Sequence, residues 1–197
     1  MSWLFSQMAD PEGLLTGAAR KRAEDVITNN HYLHSVPSGK SHYIEFEDAL
    51  VVWSIPANMN IATFILGVQG KCWELSRLWA PDGHRKNLLT EAIAFAVKAI
   101  NQLEKPDVLV SYADPNVGHS GGIYKAASWI FHRTAEESRV YVDGSGLAVA
   151  RRAFHSGDKG MNKQEIEAAG YTQVNKPGKL RFVRPLSLRA KRVCVNG

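Results

Sequence analysis

The chain is poor in the features that announce the commonest enzyme classes. Only two of its 197 residues are cysteines, Cys72 and Cys194. They stand far apart and in no metal-type spacing, so they read as reduced thiols rather than a disulfide scaffold or a zinc site. No apolar run is long enough to span a bilayer. The opening Met1–Asp10 lacks the basic and apolar regions of a signal peptide, so a cytoplasmic protein is expected. There is no phosphate-binding P-loop, no dinucleotide glycine fingerprint and no Gly-Xaa-Ser-Xaa-Gly elbow. Those absences argue against nucleotide hydrolysis, Rossmann redox chemistry and α/β-hydrolase catalysis. Acidic residues also stop early. None follows Glu167, whereas Lys176, Lys179, Arg181, Arg184, Arg189, Lys191 and Arg192 lie beyond it. Such a one-signed segment draws phosphates and releases counterions, or it stands as a solvated basic tail. The net charge of +5 suits a polyanionic partner without requiring one.

What is present suits one domain over 1–197, with a basic C-terminal segment at 176–197. Helical spacing of Ala19, Ala23, Val26 and Ile27 predicts a helix over 18–30, running into His31-Tyr32-Leu33-His34. Strands are expected at 43–46 and 49–55, and a short helix at 60–66. The middle is the most regular part. Residues 72–79 (CWELSRLW) read as a strand, 87–103 as a helix with an apolar stripe through Leu89, Ile93, Val97, Ile100 and Leu103, and 107–113 (DVLVSYA) as a strand. A helical crossover makes strands 72–79 and 107–113 parallel. A loop at 114–120, a helix over 122–131, a strand at 138–142, a short helix at 162–169 and a strand at 179–183 complete the reading. Residues 1–17 and 144–160 suggest no role. The class is α/β (α+β), a mixed central sheet flanked by helices.

Four places can carry chemistry. Arg85 and Lys86, with Asn87 as N-cap, sit at the start of the 87–103 helix, where free N–H groups and the dipole favour an anion. Ser111-Tyr112-Ala113-Asp114 runs past the carboxyl end of a parallel strand, where open α/β sheets bind ligands. Asp114 and His119 offer a base or an orienting group there. Arg77 lies in an apolar strand, on the same face as Leu75 by simple alternation. It needs an internal carboxylate such as Asp114, or an anionic ligand. His31 and His34 would share a face if the first helix continued through them, which suits a metal, although a third ligand is not obvious.

Glu74-Leu75-Ser76-Arg77-Leu78-Trp79, then Asn87, Ser111-Tyr112-Ala113-Asp114, Gly118-His119, Gly122-Ile123-Tyr124-Lys125-Ala126 and Trp129 together resemble the phage Mom-type DNA modification proteins. His31-Tyr32 and Lys179-Leu180-Arg181-Phe182-Val183 add to the resemblance, which spans about 18–186. It implies a GNAT-like fold in which the 72–79 and 107–113 strands splay around a donor. It implies conversion of adenine N6 in DNA to a carbamoylmethyl (acetamido) derivative, shielding phage DNA from restriction in the host cytoplasm. Carried over by motif, Asp114, Tyr124, Arg77, His119 and Ser111 would be catalytic. Arg77, Leu78, Arg85, Lys86 and Asn87 would line the donor, Lys176, Lys179, Arg181 and Arg184 the DNA, and His31 with Tyr32 a metal, iron being the candidate.

One departure bears on the donor. The acetyltransferase glycine signature is replaced by Pro81-Asp82-Gly83-His84-Arg85-Lys86. Acetyl-CoA and a glycyl donor therefore both stay open, and the product needs a nitrogen that acetyl-CoA alone lacks. The expected partners are double-stranded DNA and the donor, with no membrane, and the assembly is open between a monomer and a homodimer. The rival reading is a GNAT-like N-acyltransferase acting on a small-molecule amine. A non-catalytic DNA-binding protein is a third.

Overall fold

In the computed structural model of the protein, residues 10–146, 148–150, 154 and 160–196 are described. Most of the 144–160 stretch, and the first nine residues, lie outside that set. The described residues group into two compact units. The first comprises 10–112, 121–132 and 181–196, and the second 113–120 and 133–180.

A seven-stranded sheet is built from β1 (Leu14–Leu15), β2 (Ser41–Phe46), β3 (Ala49–Ser54), β4 (Cys72–Trp79), β5 (Val108–Ala113), β6 (Ile130–Thr134) and β10 (Leu180–Pro185). Its order is β1-β2-β3-β4-β5-β10-β6. Antiparallel pairing joins β2 to β3 and β3 to β4, and parallel pairing joins β4 to β5. The expected crossover is α3 (Leu88–Glu104), so the sheet is mixed, as anticipated. Every residue of β3 is buried, which fits its near-continuous apolar run and its covered faces.

Helices cover both faces. On one, α1 (Gly17–Asn30) packs Ala23 and Ile27 on Tyr43, Leu50 and Val52. Further along that face, α2 (Ile61–Leu66) and α6 (Leu188–Asn196) pack on Val108, Val110 and Val183. Seven residues of α3 are buried, Leu88 among them, while Leu89 and Leu103 of the expected stripe are only half-buried. No described helix is long and apolar enough to cross a membrane.

Two expectations fail for local reasons. The helix expected over 122–131 stops as α4 (Gly122–Ala126). Ser128 takes a left-handed φ of 61°, the Ser128 N–H donates to Lys125 O, and the Trp129 N–H donates to Tyr124 O. That pair of bonds is a Schellman stop, and Ile130-Phe131 then reads as strand β6. The basic C-terminal segment is no solvated tail either. It holds the end of β9 (Thr172–Lys176), strand β10 in the sheet interior, and α6, which buries Ala190 completely.

The second unit has its own three-stranded antiparallel sheet, in the order β8-β7-β9, from β7 (Ser138–Val142), β8 (Ala148–Ala150) and β9. Helix α5 (Lys163–Ala168) starts on a full capping box between Asn162 and Glu165. Tyr141, Phe154 and Tyr171 make edge-to-face contacts in it.

Candidate active site

Strand β4 carries an irregularity that sequence alternation could not show. Val52 faces Arg77 and Trp53 faces Leu75, so Ser76 is an extra residue, a β-bulge. Its hydroxyl donates to Val52 O at 3.1 Å. The bulge resets the alternation. Leu75 stays with Trp53, while Arg77 moves to the face of Val52 and Tyr43, the face that Glu74 also occupies opposite Ser54. The expectation that Leu75 and Arg77 share a face is thereby corrected.

Beside the bulge the parallel strands part. Their pairing runs from Cys72–Val108 to Leu75–Ser111 and ends there, although β4 continues to Trp79. At this parting the Ser111 hydroxyl lies 2.8 Å from the Leu75 carbonyl and 2.8 Å from the Tyr124 hydroxyl. Ser111 is 1% exposed and Tyr124 8%. Helix α4 delivers Tyr124, and its ring is packed by Trp129 and Phe182, at centroid distances of 5.6 and 5.2 Å. Trp129 in turn stacks on Trp53. Burial pushes the Tyr124 phenol up to about 12, with Tyr32 and Glu74 adding to the rise and the Ser111 hydrogen bond opposing it.

The start of α4 depends on Gly121. Its φ is 78°, and a Cβ there would lie 2.3 Å from the Phe182 ring. Only glycine meets both demands.

Arg77 is held by neighbouring serine oxygens. Its guanidinium donates to Ser35 O at 2.8 Å, Ser35 Oγ at 3.3 Å and Ser76 O at 2.7 Å. Burial lowers its pKa, against the pull of Tyr32, Glu74 and Tyr43; an arginine nonetheless keeps its charge. Leu78 faces Val51, on the opposite side of the sheet, and is half-buried. Ser35, which anchors Arg77, gave no signal in the sequence.

Helix α1 ends at Asn30, so His31 and His34 do not share a helical face. The buried His31 accepts from the Leu33 N–H through Nδ1 at 3.2 Å, and its ring lies 4.5 Å from that of Tyr32. Among the described residues, no group of three or more His, Cys, Asp or Glu side chains could hold a metal ion. The described residues thus give no support to the iron that the resemblance implied at His31 and Tyr32. Tyr32 instead acts electrostatically on Arg77 and Tyr124.

The start of α3 differs from the open anion site expected. Asn87 is the N-cap, as expected, but it has a left-handed φ of 67° and makes no side-chain cap bond. Arg85 is forked between Glu47, at 2.6 and 3.0 Å, and Glu91, at 2.7 and 3.1 Å. Hydrogen bonds from those carboxylates raise its pKa and lower theirs. Lys86 is exposed beside it.

In the second unit, Asp114 Oδ1 accepts from the Asn116 N–H at 3.0 Å and from Asn116 Nδ2 at 2.8 Å, and Oδ2 lies 3.3 Å from Lys179 Nζ. Its side chain is 13% exposed. Burial raises its pKa, but the Asn116 bonds and Lys179 outweigh that and leave it lowered. His119 is exposed, with its N–H bonded to Asp114 O. Of the basic candidates, Lys176 is half-buried in β9 and Lys179 is held by Asp114. In the first unit, Arg181 lies over the Tyr112 ring at 5.7 Å and Arg184 donates to Ala127 O at 2.7 Å.

Comparison with known proteins places this geometry. The chain is 27% identical over 178 residues to the methylcarbamoylase Mom of Escherichia phage Mu, covering 84% of this chain and 68% of that one. A Bacillus subtilis acetyltransferase solved in complex with CoA superposes with a TM-score of 0.44 at 8% identity, over 88% of this chain and 97% of that one. The model of the Mom protein family matches residues 14–196. By that match, over nearly its whole described length, the chain belongs to the Mom protein family.

Proposed function

We propose that this Mom-family transferase converts the N6 amino group of adenine in DNA to its carbamoylmethyl derivative, and so protects phage DNA from host restriction. The observation that carries the reading is the family match over 14–196, joined to the parting of β4 and β5 beside Ser111 and Tyr124. The named activity of the phage Mu relative supports it. A base buried in a duplex must leave the stack before its amine can react. The backbone edge of Ser76–Trp79 that faces away from β3 has no recorded β5 partner, and its N–H and C=O groups suit an amide-bearing acyl donor. Arg77 would hold the donor's carbonyl or an anionic group from one face of the sheet, and Leu78 would meet the donor from the other; Lys86 would offer a charge at the start of α3. The choice between a CoA thioester and a glycyl donor belongs to experiment.

Asp114 would orient the amine rather than deprotonate it. A carboxylate whose pKa is held low is a weak base but a strong hydrogen-bond acceptor. His119 would assist it. Lys176, Lys179, Arg181 and Arg184 would face the DNA backbone.

One observation favours the alternative, an N-acyltransferase acting on a small-molecule amine. Lys179, Arg184 and Arg189 already have partners in Asp114, Ala127 O and Asp107, which thins the basic footprint. Mass spectrometry of nucleosides from plasmid DNA separates the two. Cells expressing the protein should yield a heavier deoxyadenosine, lost with Asp114→Ala. Unmodified DNA from well-expressed, folded protein would move the assignment to the small amine.

A further inference from the structure

The bonds of Ser111 fix the direction in which the Tyr124 proton points. A serine hydroxyl has one proton to give and can accept as well. Ser111 Oγ lies 2.8 Å from the Leu75 carbonyl, which can only accept, and 2.8 Å from the Tyr124 hydroxyl. The Ser111 proton therefore goes to Leu75 O, and Tyr124 must donate its own proton to Ser111. The carbonyl at the head of this relay belongs to the last β4 residue paired with β5. Two oxygens 2.8 Å apart need a proton between them, and only Ser111 can supply it to a carbonyl, which holds the relay in that direction.

A consequence follows for the phenol oxygen. Its proton goes to Ser111, so only lone pairs remain for a further partner. The oxygen of Tyr124, a residue 8% exposed beside the parting strands, thus has lone pairs to offer and no proton. The ligand group that complements it is a nitrogen bearing hydrogen.

We propose that Tyr124 is the hydrogen-bond acceptor for the N–H of the acceptor amine, and that Ser111 is a positioning residue that holds the phenol in that polarity. Naming the amine as the occupant rests on the function proposed above; the polarity itself does not. On this account Tyr124 selects a substrate whose reacting atom carries N–H and discriminates against an oxygen acceptor at the same point. A Tyr124 that donated its proton to a ligand in the resting state would need the opposite polarity, with no proton left between Ser111 Oγ and Leu75 O.

The test reads the phenol directly. In the tyrosine Raman doublet, the intensity ratio is low for a phenol that only donates and high for one that only accepts. A wild-type minus Tyr124→Phe difference spectrum isolates Tyr124. The low, donor-type ratio is expected in wild type and in Ser111→Thr, which keeps the hydroxyl, and is expected to be lost in Ser111→Ala. Adding a single-stranded oligonucleotide containing deoxyadenosine should then move the wild-type ratio to an intermediate value, as the phenol starts to accept as well. Modification should fall about tenfold or more in Ser111→Ala and stay within about threefold of wild type in Ser111→Thr. An acceptor-type ratio in wild-type protein, or a ratio unchanged in folded Ser111→Ala, would overturn the proposal. A donor-type phenol that does not respond to the oligonucleotide but responds to a small amine would keep the polarity and reject DNA as the substrate.

Discussion

Strand β4 contains two regions of opposite character. Cys72 to Leu75 pairs with β5 throughout, Glu74 and Leu75 also pair with β3, and Trp73 and Leu75 are 2% and 3% exposed. Ser76 to Trp79 keeps β3 alone, and all four residues are half-exposed. The bulge at Ser76 marks the border. The first half of the strand anchors the sheet. The second half leaves one strand edge without a β5 partner. On the function proposed above, that edge and Arg77 would meet the donor, so substitutions on either side of Ser76 should fail in different ways.

The largest effect is expected in the anchored half. Trp73→Ala removes a buried ring and should cost about 3–5 kcal/mol in a denaturant titration, with activity lost through unfolding. Gly121→Ala comes next. Its Cβ would drive into Phe182, and the strained φ adds to the cost, for about 1–3 kcal/mol in all. Because Phe182 packs on Tyr124, near-UV circular dichroism should also change.

Glu104 ranks third. Lys71, just before β4, Lys40 and His42 all reach its carboxylate, which is 9% exposed. Burial would raise its pKa, but these three partners outweigh burial and hold it at about 2, against 4.5 ordinarily. A carboxylate with a depressed folded-state pKa contributes its stability above the unfolded value. That contribution should be complete above pH 4.5 and vanish as the pH falls towards 2. With half-exposed lysines as partners, it should amount to about 1–2 kcal/mol. Thermal melts of Glu104→Gln against wild type should converge over that acid range and differ at neutral pH.

The smallest effect on stability belongs to the opened half. Arg77→Ala should cost about 1 kcal/mol, the worth of its bonds to Ser35, yet lower modification of DNA about tenfold or more. A variant that melts several degrees lower while keeping full activity would dissolve the distinction between the halves.

Much of the anchored region was legible from periodicity. The apolar run in β3, the 3.6-residue stripe of α3 and the punctuation at Pro106 predicted a parallel strand–helix–strand unit, and it is there. What was hidden depends on single residues whose choice of conformation is made by their surroundings. Nothing about Ser76 marks it as a bulge. Ser128 looks like an ordinary helix residue until its left-handed φ stops α4. Lys191, Arg192 and the absence of acids made 188–196 read as a charged tail, because Ala190 and Cys194 are too modest an apolar stripe to suggest α6. For the candidate site, the sequence singled out Ser111 and Tyr124, whose hydroxyls the fold brings to 2.8 Å. It could not say that Arg85 is already held by Glu47 and Glu91, or that Ser35 holds Arg77.

The place of β10 in the sheet has a consequence for how the protein is made. It lies between β5 and β6, although 45 residues of chain, 135–179, separate it from β6. During synthesis, β5 and β6 emerge with a gap between them that only a later segment can fill. Long-range pairing of this kind is slow and leaves strand edges exposed meanwhile. The ring of Phe182, which packs against Tyr124, arrives with that same strand. A nascent chain that stops short of β10 would therefore have Tyr124 without one of its supporting rings, so active-site assembly is tied to late translation.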